Sequence, residues 1–437
     1  MQSEIPTAAQ PPCLFCFVST LYIHYDGTAD LALPFHRESG YASAVDTCKM
    51  AIQLLHCKRA LTPTAEIADA AILIRDGVIE AIGSREAVTL PGGAQEISAT
   101  DSTAIPGFVD VHIHGAGGHD VMEGTPEALR TVTRTVATHG TTSIVATTVT
   151  ASPEATLRSV AAIAKYIGAQ HESVDARAEV LGIHFEGPFI SEVRRGVHPA
   201  EYLRLPSAEF LEQLLYAAAG NAAILTIAPE LLGAIPCIDA AREAGMVVAI
   251  GHTDATYEQS RAAIAHGARH AVHVYNAMRP FSHRDSGVIG AVLTSPEVSA
   301  ELIADNVHVD EAAMRLLLKA KGAGHVILVS DGISATGMPD GKYKLGNFEV
   351  TVSGGICRNA EGKLAGSTLT LDRALRNVVA LGASLCDAVR MLTVNPAALL
   401  GLEFKKGALR AGADADIVLI DDGLHIAGVW TRGVAVT

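Results

Sequence analysis

Six polar side chains stand at the ends of short apolar runs, and their types suit the holding of a divalent cation and the activation of water. His112 and His114 end GFVDVHIHG, Glu186 ends VLGIHFEGP, His252 follows VVAIG, His273 lies within HAVHVYNA, and Asp331 follows VILVS. Side chains on a strand alternate with period two, so a His-x-His pair sets both imidazoles on one face. From there two nitrogens can approach one cation at about 2.0–2.1 Å. A carboxylate at an apolar strand end is expensive to bury without a cation or a donor, and no nearby Lys or Arg is evident for Glu186. Glu186, His252 and His273 together make a coherent three-ligand site that leaves positions open for water and substrate. Asp331 beside a metal-activated water can take its proton and later hand it to a leaving nitrogen. The cation makes this feasible at neutral pH, because lowering the pKa of water from about 15.7 to about 7 corresponds to roughly 12 kcal/mol. Each residue alone also fits a plainer reading, a hydrogen-bonded core histidine or, for Asp331, a helix N-cap. The combination fits only the first. His139, His266 and His270 fall on or next to helical stretches and are read as structural.

Such residues act together only if the fold gathers them. Between about Pro106 and Asn395 the chain alternates strand-like runs with amphipathic stretches such as TPEALRTVTRTVATHG and DEAAMRLLLKAKGAG. Eight strand signals in a βα rhythm predict an α/β fold, a TIM (β/α)8 barrel over residues 106–395. Active sites of that fold lie on the rim formed by the C-terminal strand ends, so positions as far apart as 112 and 331 would meet in one pocket. Residues 50–105 and 396–437 are short and β-like, with an Asp76-Gly77 hairpin signal. Neither end is long enough to bury a sheet alone, so the two are expected to form one small β-sandwich domain.

Composition narrows the class. At 437 residues, 49% hydrophobic and 18% charged, the chain has room for a barrel of roughly 250 residues and a second module. The net charge of −14 argues against a nucleic-acid partner, although a few local cations could still hold a small anionic substrate. Seven scattered cysteines fit free thiols in a reducing compartment, so a cytoplasmic location is expected. The apolar stretch from Cys13 to Ile23 is too short to span a bilayer and follows no Lys or Arg, which argues against a membrane anchor or secretory leader. The Cys13-x-x-Cys16 pair has no visible metal or redox partners and is read as incidental. Residues 1–49 are expected to be an extension outside the fold, with Met50 a sensible alternative start.

The motifs PGFVDVHIHG, HFEGPF, GVHPAEYL, GHTDA, HVYNAM, DNVHVD, SDGISATG and LAGSTLT occur in that order. As a set they are specific, and from about Ile52 onward the chain resembles the N-acetylglucosamine-6-phosphate deacetylases of the amidohydrolase superfamily. The resemblance implies that Glu186, His252 and His273 hold a catalytic divalent metal, zinc first and iron or another ion second. Because His112 and His114 are both present, it allows a second ion, with Glu186 bridging the two. It implies Asp331 as general base and acid, and Val197 and His198 beside the sugar, with His198 stabilising the oxyanion. Asn276, Ala277 and His308 would contact the substrate, chiefly its phosphate. The segments Asp305, Asn306, Val307, His308 and Leu364, Ala365, Gly366 match further substrate-contacting stretches. Arg284 matches an arginine that reaches a neighbouring subunit's substrate, which implies a homodimer. The expected reaction is hydrolysis of the acetamide of an amino-sugar phosphate to acetate and the free amine.

Two other readings compete. Amidohydrolases of cyclic amides often bridge two metals with a carboxylated Lys at a strand end, but no candidate strand here ends in Lys; a nucleobase deaminase would release ammonia instead of acetate. An inactive barrel used as a scaffold would typically have lost a ligand or the strand-eight Asp, and this chain retains them all.

Overall fold

The computed structural model describes residues 52–172 and 175–437; the expectations for residues 1–49, Cys13, Cys16 and Met50 lie outside them. Eight parallel strands, Phe108–Ile113, Thr141–Thr148, Glu179–Glu186, Ala222–Ile227, Val247–Ile250, His270–Ala271, Ser299–Leu302 and Val326–Leu328, lie side by side in chain order. All eight coincide with the runs expected from sequence. A parallel strand covered on both faces reads as a continuous buried run, and FVDVHI and TTSIVATT are buried at every position. The ring closes where Ile113 bridges in parallel to Gly332, just beyond the eighth strand. There the Asp331 N–H donates to the His112 carbonyl at 2.9 Å and the His114 N–H to the Gly332 carbonyl at 2.8 Å. Closure therefore sets Asp331 beside the His-x-His pair.

The outer helices start where the sequence offers caps. Thr125 caps Pro126–Ala137, which has Pro in its first turn, Thr256 and Gln259 form a capping box on Tyr257–Ala265, and Asp310 caps Glu311–Lys321. Among the described residues no helix is long and apolar enough to cross a membrane.

The chain ends build a seven-stranded sheet. Gln53–Leu61, Glu66–Arg75, Val78–Ser84 and Gln95–Pro106 join Ile417–Ile420, Ile426–Thr431 and Val434–Ala435 through pairing of Ile417–Ile420 with the end of Gln95–Pro106. Asp76 and Gly77 turn the hairpin with φ of 50° and 80°, the signature of its tight two-residue loop. As expected, the two chain ends form a separate β domain, with their seven strands hydrogen-bonded to one another. The Asp76-Gly77 turn is tied to the stretch before Ile417–Ile420, where the Ala415 N–H donates to the Gly77 carbonyl at 2.8 Å, and the core includes Leu55, Ile72, Ile417 and Trp430.

A feature absent from the sequence reading follows the eighth strand. Gly341–Leu345, Phe348–Ser353 and Ile356–Asn359 form a small antiparallel sheet. Its Leu345, Val350 and Cys357 pack with Ile333 and Ala365, which brings Leu345 to the barrel mouth.

Candidate active site

Glu186 lies at the centre of the rim, buried, with five histidine nitrogens around its carboxylate, those of His112, His114, His198, His252 and His273. His273 Nε2 and His252 Nε2 are 2.9 and 3.1 Å from Oε1, and His112 Nε2 is 3.2 Å from the same oxygen. His114 Nε2 is 3.3 Å from Oε2 and equally 3.3 Å from Asp331 Oδ1. The Nε2 atoms of His252 and His273 are only 3.2 Å apart.

For His112, His114 and His252 the partner on the far side of the ring decides what the nitrogen facing Glu186 can do, whereas His273 Nδ1 is buried without one. His252 Nδ1 faces the Arg194 carbonyl at 3.0 Å, and His114 Nδ1 faces the Thr147 carbonyl at 3.1 Å. His112 Nδ1 faces a carboxylate, Glu301 Oε2, at 2.8 Å. Carbonyls and carboxylates only accept, so in the neutral rings the proton sits on Nδ1 and the Nε2 lone pair points at Glu186. Lone pairs aimed at carboxylate oxygens repel unless a cation lies between them. His112 Nε2, buried, has no aligned hydrogen-bond partner. None of the carboxylates of Glu186, Asp331 and Glu301 pairs with a Lys or Arg among the described residues. The only relief available to the protein alone is protonation. Although burial opposes it, Asp331 and Glu186 push the His114 imidazole up to about 10. A divalent ion relieves the same field directly, and the donors fall into three compatible sets: His112, Glu186 and His273; His112, His114 and Asp331; or Glu186, His198 and His252. The residues fit a metal.

His198 is wired the opposite way. Its Nδ1 accepts the Thr150 backbone N–H at 3.3 Å and lies 2.8 Å from Thr150 Oγ1, so Nε2 carries the proton. Burial pushes its pKa down to about 4, which keeps the ring neutral, a fixed donor beside Glu186 Oε2 at 3.4 Å. Gly187, with φ of 84°, makes room for this pair, since a Cβ there would lie 2.1 Å from Thr150 Oγ1. Asp331 is held below the usual carboxylate range because its histidine neighbours, His114 first, outweigh burial. His252, His273 and Asp331 have φ of 46°, 26° and 47°, conformations uncommon for non-glycine residues that occur in turns and cluster at active sites.

Above these groups lies a cavity of about 190 Å³, lined by His114, Glu186, His198, His252, His273 and Asp331 together with Val197, Asn276, Ala277, His308, Leu364 and Gly366. A larger cavity of about 760 Å³ shares Val149 with it but contains none of the candidate metal-site residues. Chemistry, and not size, identifies the smaller one.

Other expected residues stand apart from the cavity. His112 lies beneath it, behind Glu186. Ala365 is buried against Ile333 and Cys357. Asp305 faces away from the cavity and holds His308, with Oδ2 2.7 Å from His308 Nδ1; Asn306 and Val307 form the turn between them, and Val307 is exposed. Arg284 is exposed on the loop after the sixth strand and makes no ion pair among the described residues. Three supporting residues escaped the sequence reading: Thr150, Arg194 through its carbonyl, and Glu301. His270, read as structural, contacts Glu301 at 2.8 Å.

The sequence profile of the amidohydrolase family matches residues 103–436. The chain belongs to the amidohydrolase family. Among relatives, the N-acetylglucosamine-6-phosphate deacetylase of Vibrio furnissii is 39% identical over 371 residues, 84% of this chain and 90% of that protein. The N-acetylgalactosamine-6-phosphate deacetylase of Escherichia coli O157:H7 is 37% identical over 381 residues, 87% of this chain and 98% of that one. Among solved structures, this amidohydrolase is similar to the N-acetyl-D-glucosamine-6-phosphate deacetylase of Mycobacterium smegmatis in complex with N-acetyl-D-glucosamine-6-phosphate, with a TM-score of 0.82 and 36% identity, over 89% of this chain and 100% of that chain.

Proposed function

We propose that the protein hydrolyses the acetamide of N-acetylglucosamine 6-phosphate, giving acetate and glucosamine 6-phosphate. The observation that carries this reading is the opposed wiring of the histidines: Nε2 lone pairs converge on Glu186, while His198 Nε2 presents a proton beside them. Relatives of that activity align along most of their own length. Glu186, His252 and His273 would hold one divalent ion, zinc first, and His112, His114 and Asp331 with Glu186 offer a second position. When bound, the ion supplies an activated water and polarises the acetamide carbonyl.

The chain's own groups do the rest. Asp331, ionised, takes a proton from the attacking water as the C–O bond forms. His198 Nε2–H donates to the carbonyl oxygen as negative charge develops on it. Asp331 then gives its proton to the nitrogen as the C–N bond breaks, so the amine leaves neutral. His308, which Asp305 keeps above the ordinary imidazole value despite burial, and Asn276, which lines the same cavity, would hold the phosphate. Exposed Arg284 would complete that cradle in a partner subunit of a cytoplasmic homodimer.

Acetate release from N-acetylglucosamine 6-phosphate, its galactosamine epimer and unphosphorylated N-acetylglucosamine tests the reading. The first should be turned over with the highest kcat/KM. Preference for the epimer would favour the second reading, which the match to 98% of an N-acetylgalactosamine-6-phosphate deacetylase supports. No acetate from any of the three would sink both.

A further inference from the structure

The seventh barrel strand, Ser299–Leu302, buries a charge between apolar neighbours. Glu301 is fully buried, as are Ala300 and Leu302 on either side. Its Oε2 lies 2.8 Å from His112 Nδ1 and accepts the His273 backbone N–H at 2.9 Å. Its Oε1 lies 2.8 Å from His270 Nε2, and His270 Nδ1 lies 2.7 Å from Ser299 Oγ. One carboxylate thus grips the side chain of one candidate ligand and the main chain of another. A buried carboxylate without Lys or Arg is a costly feature in an apolar strand, and packing alone gives no reason for it.

We propose that Glu301 is a positioning residue for the metal centre, which fixes His112 with its proton on Nδ1 and its Nε2 lone pair aimed at Glu186. Through the His273 N–H it also ties the His112 side of the centre to the His252 and His273 side. The inference rests on the metal-dependent reading above. Its physical basis is general: a carboxylate accepting the far N–H of a ligand imidazole sets the tautomer, stops ring rotation and makes the ligating nitrogen more basic. His270, held by Ser299, in turn keeps the carboxylate from swinging away.

The test measures metal rather than turnover. Zinc content per subunit and zinc affinity, by competition with a chromophoric chelator, are compared for wild type, H112A, E301Q, E301L and the E301L/H112A double variant. Loss of such a partner typically weakens metal affinity about 10–100-fold, and E301L should fall in that range. E301Q, which keeps volume and one accepting oxygen, should recover part of the loss. In the H112A background E301L should cost clearly less than it does alone, because only the His273 N–H route to the ion remains. Wild-type affinity in E301L, or full additivity in the double variant, overturns the proposal and leaves Glu301 a structural charge. A purely structural role would lower the melting temperature of the chelated protein without changing the affinity of the folded one. If H112A itself binds zinc as wild type does, the assignment of His112 as a ligand fails, which is a different outcome. Should E301L not fold, E301Q and H270Q carry the test, and unchanged affinity in both would refute the inference.

Discussion

The third barrel strand carries a carboxylate at each end, half-buried at its start and buried at its end, and the two are treated differently. At its start, Glu179 Oε2 lies 2.6 Å from Lys406 Nζ, which also meets Asp414 at 2.8 Å and Asp416 at 2.9 Å. At its end, Glu186 meets only histidines, as Asp331 and Glu301 do. The lower cluster contains its own cation: Lys406 is buried, and despite desolvation its three carboxylates, Asp416 first, hold its pKa above the ordinary value. The upper cluster has comparable negative charge and no fixed cation among the described residues. The upper carboxylates are the more deeply buried, and they have only protonated histidines or a bound cation to offset their charge. A satisfied ion cluster ties the barrel to the chain-end sheet; an unsatisfied one is a site.

The contrast can be broken from either side. Exhaustive chelation should abolish acetate release while leaving the lower cluster and the barrel's near-ultraviolet circular dichroism intact, and zinc should restore the activity. Retention of turnover without metal would contradict the difference drawn between the two ends. Next in size, Asp331→Asn removes the proton carrier and should cut kcat by roughly 10²–10⁴-fold, with the zinc held by Glu186, His252 and His273 retained. A loss of zinc in parallel would make Asp331 chiefly a ligand. At the other end, Lys406→Met leaves buried Asp416 and half-buried Glu179 and Asp414 without their partner and should cost about 3 kcal/mol of stability. Thermal unfolding should report that loss, whereas kcat per folded enzyme should hardly move.

The same contrast explains what could be read in the sequence. The barrel was legible because strands buried on both faces are unbroken apolar runs, and its polar interruptions at His112, Glu186 and Asp331 are therefore conspicuous. The Asp76-Gly77 turn was legible because its dihedrals admit few residues. Glu301 was equally conspicuous within AELIAD, yet its partner His112 is 189 positions away, and only barrel closure brings the two together. Thr150 was silent for the same reason, since its contact with His198 spans 48 positions. The three-stranded sheet at 341–359 does alternate, with Leu345, Val350 and Val352 buried between exposed Lys344, Glu349 and Thr351. That signal was available and lay beyond the last strand needed to complete a barrel. Asp305 matched a substrate-contacting segment as a whole, and proximity in sequence hid the fact that it acts through His308.

That last pair allows the finest test of how charge is used at the rim. Asp305 Oδ1 accepts the N–H groups of Val307 and His308, each at 2.8 Å, which leaves Oδ2 fixed 2.7 Å from His308 Nδ1. Burial alone would push the imidazole down, but the carboxylate outweighs it and holds His308 above its ordinary value. A raised folded value means that the pair's contribution is fully present below the unfolded imidazole pKa of about 6.5 and is lost as pH rises through the folded value. KM for the phosphorylated sugar should therefore rise on the alkaline side of neutrality, while KM for the unphosphorylated sugar stays flat. Asp305→Asn should move that rise to lower pH. A charge-assisted bond exceeds a neutral one by about 1 kcal/mol, so the gap in KM near neutral pH should be about fivefold. Equal pH profiles for the two sugars would show that His308 does not meet the phosphate as a cation, and Asp305 would then be a brace for the loop and nothing more.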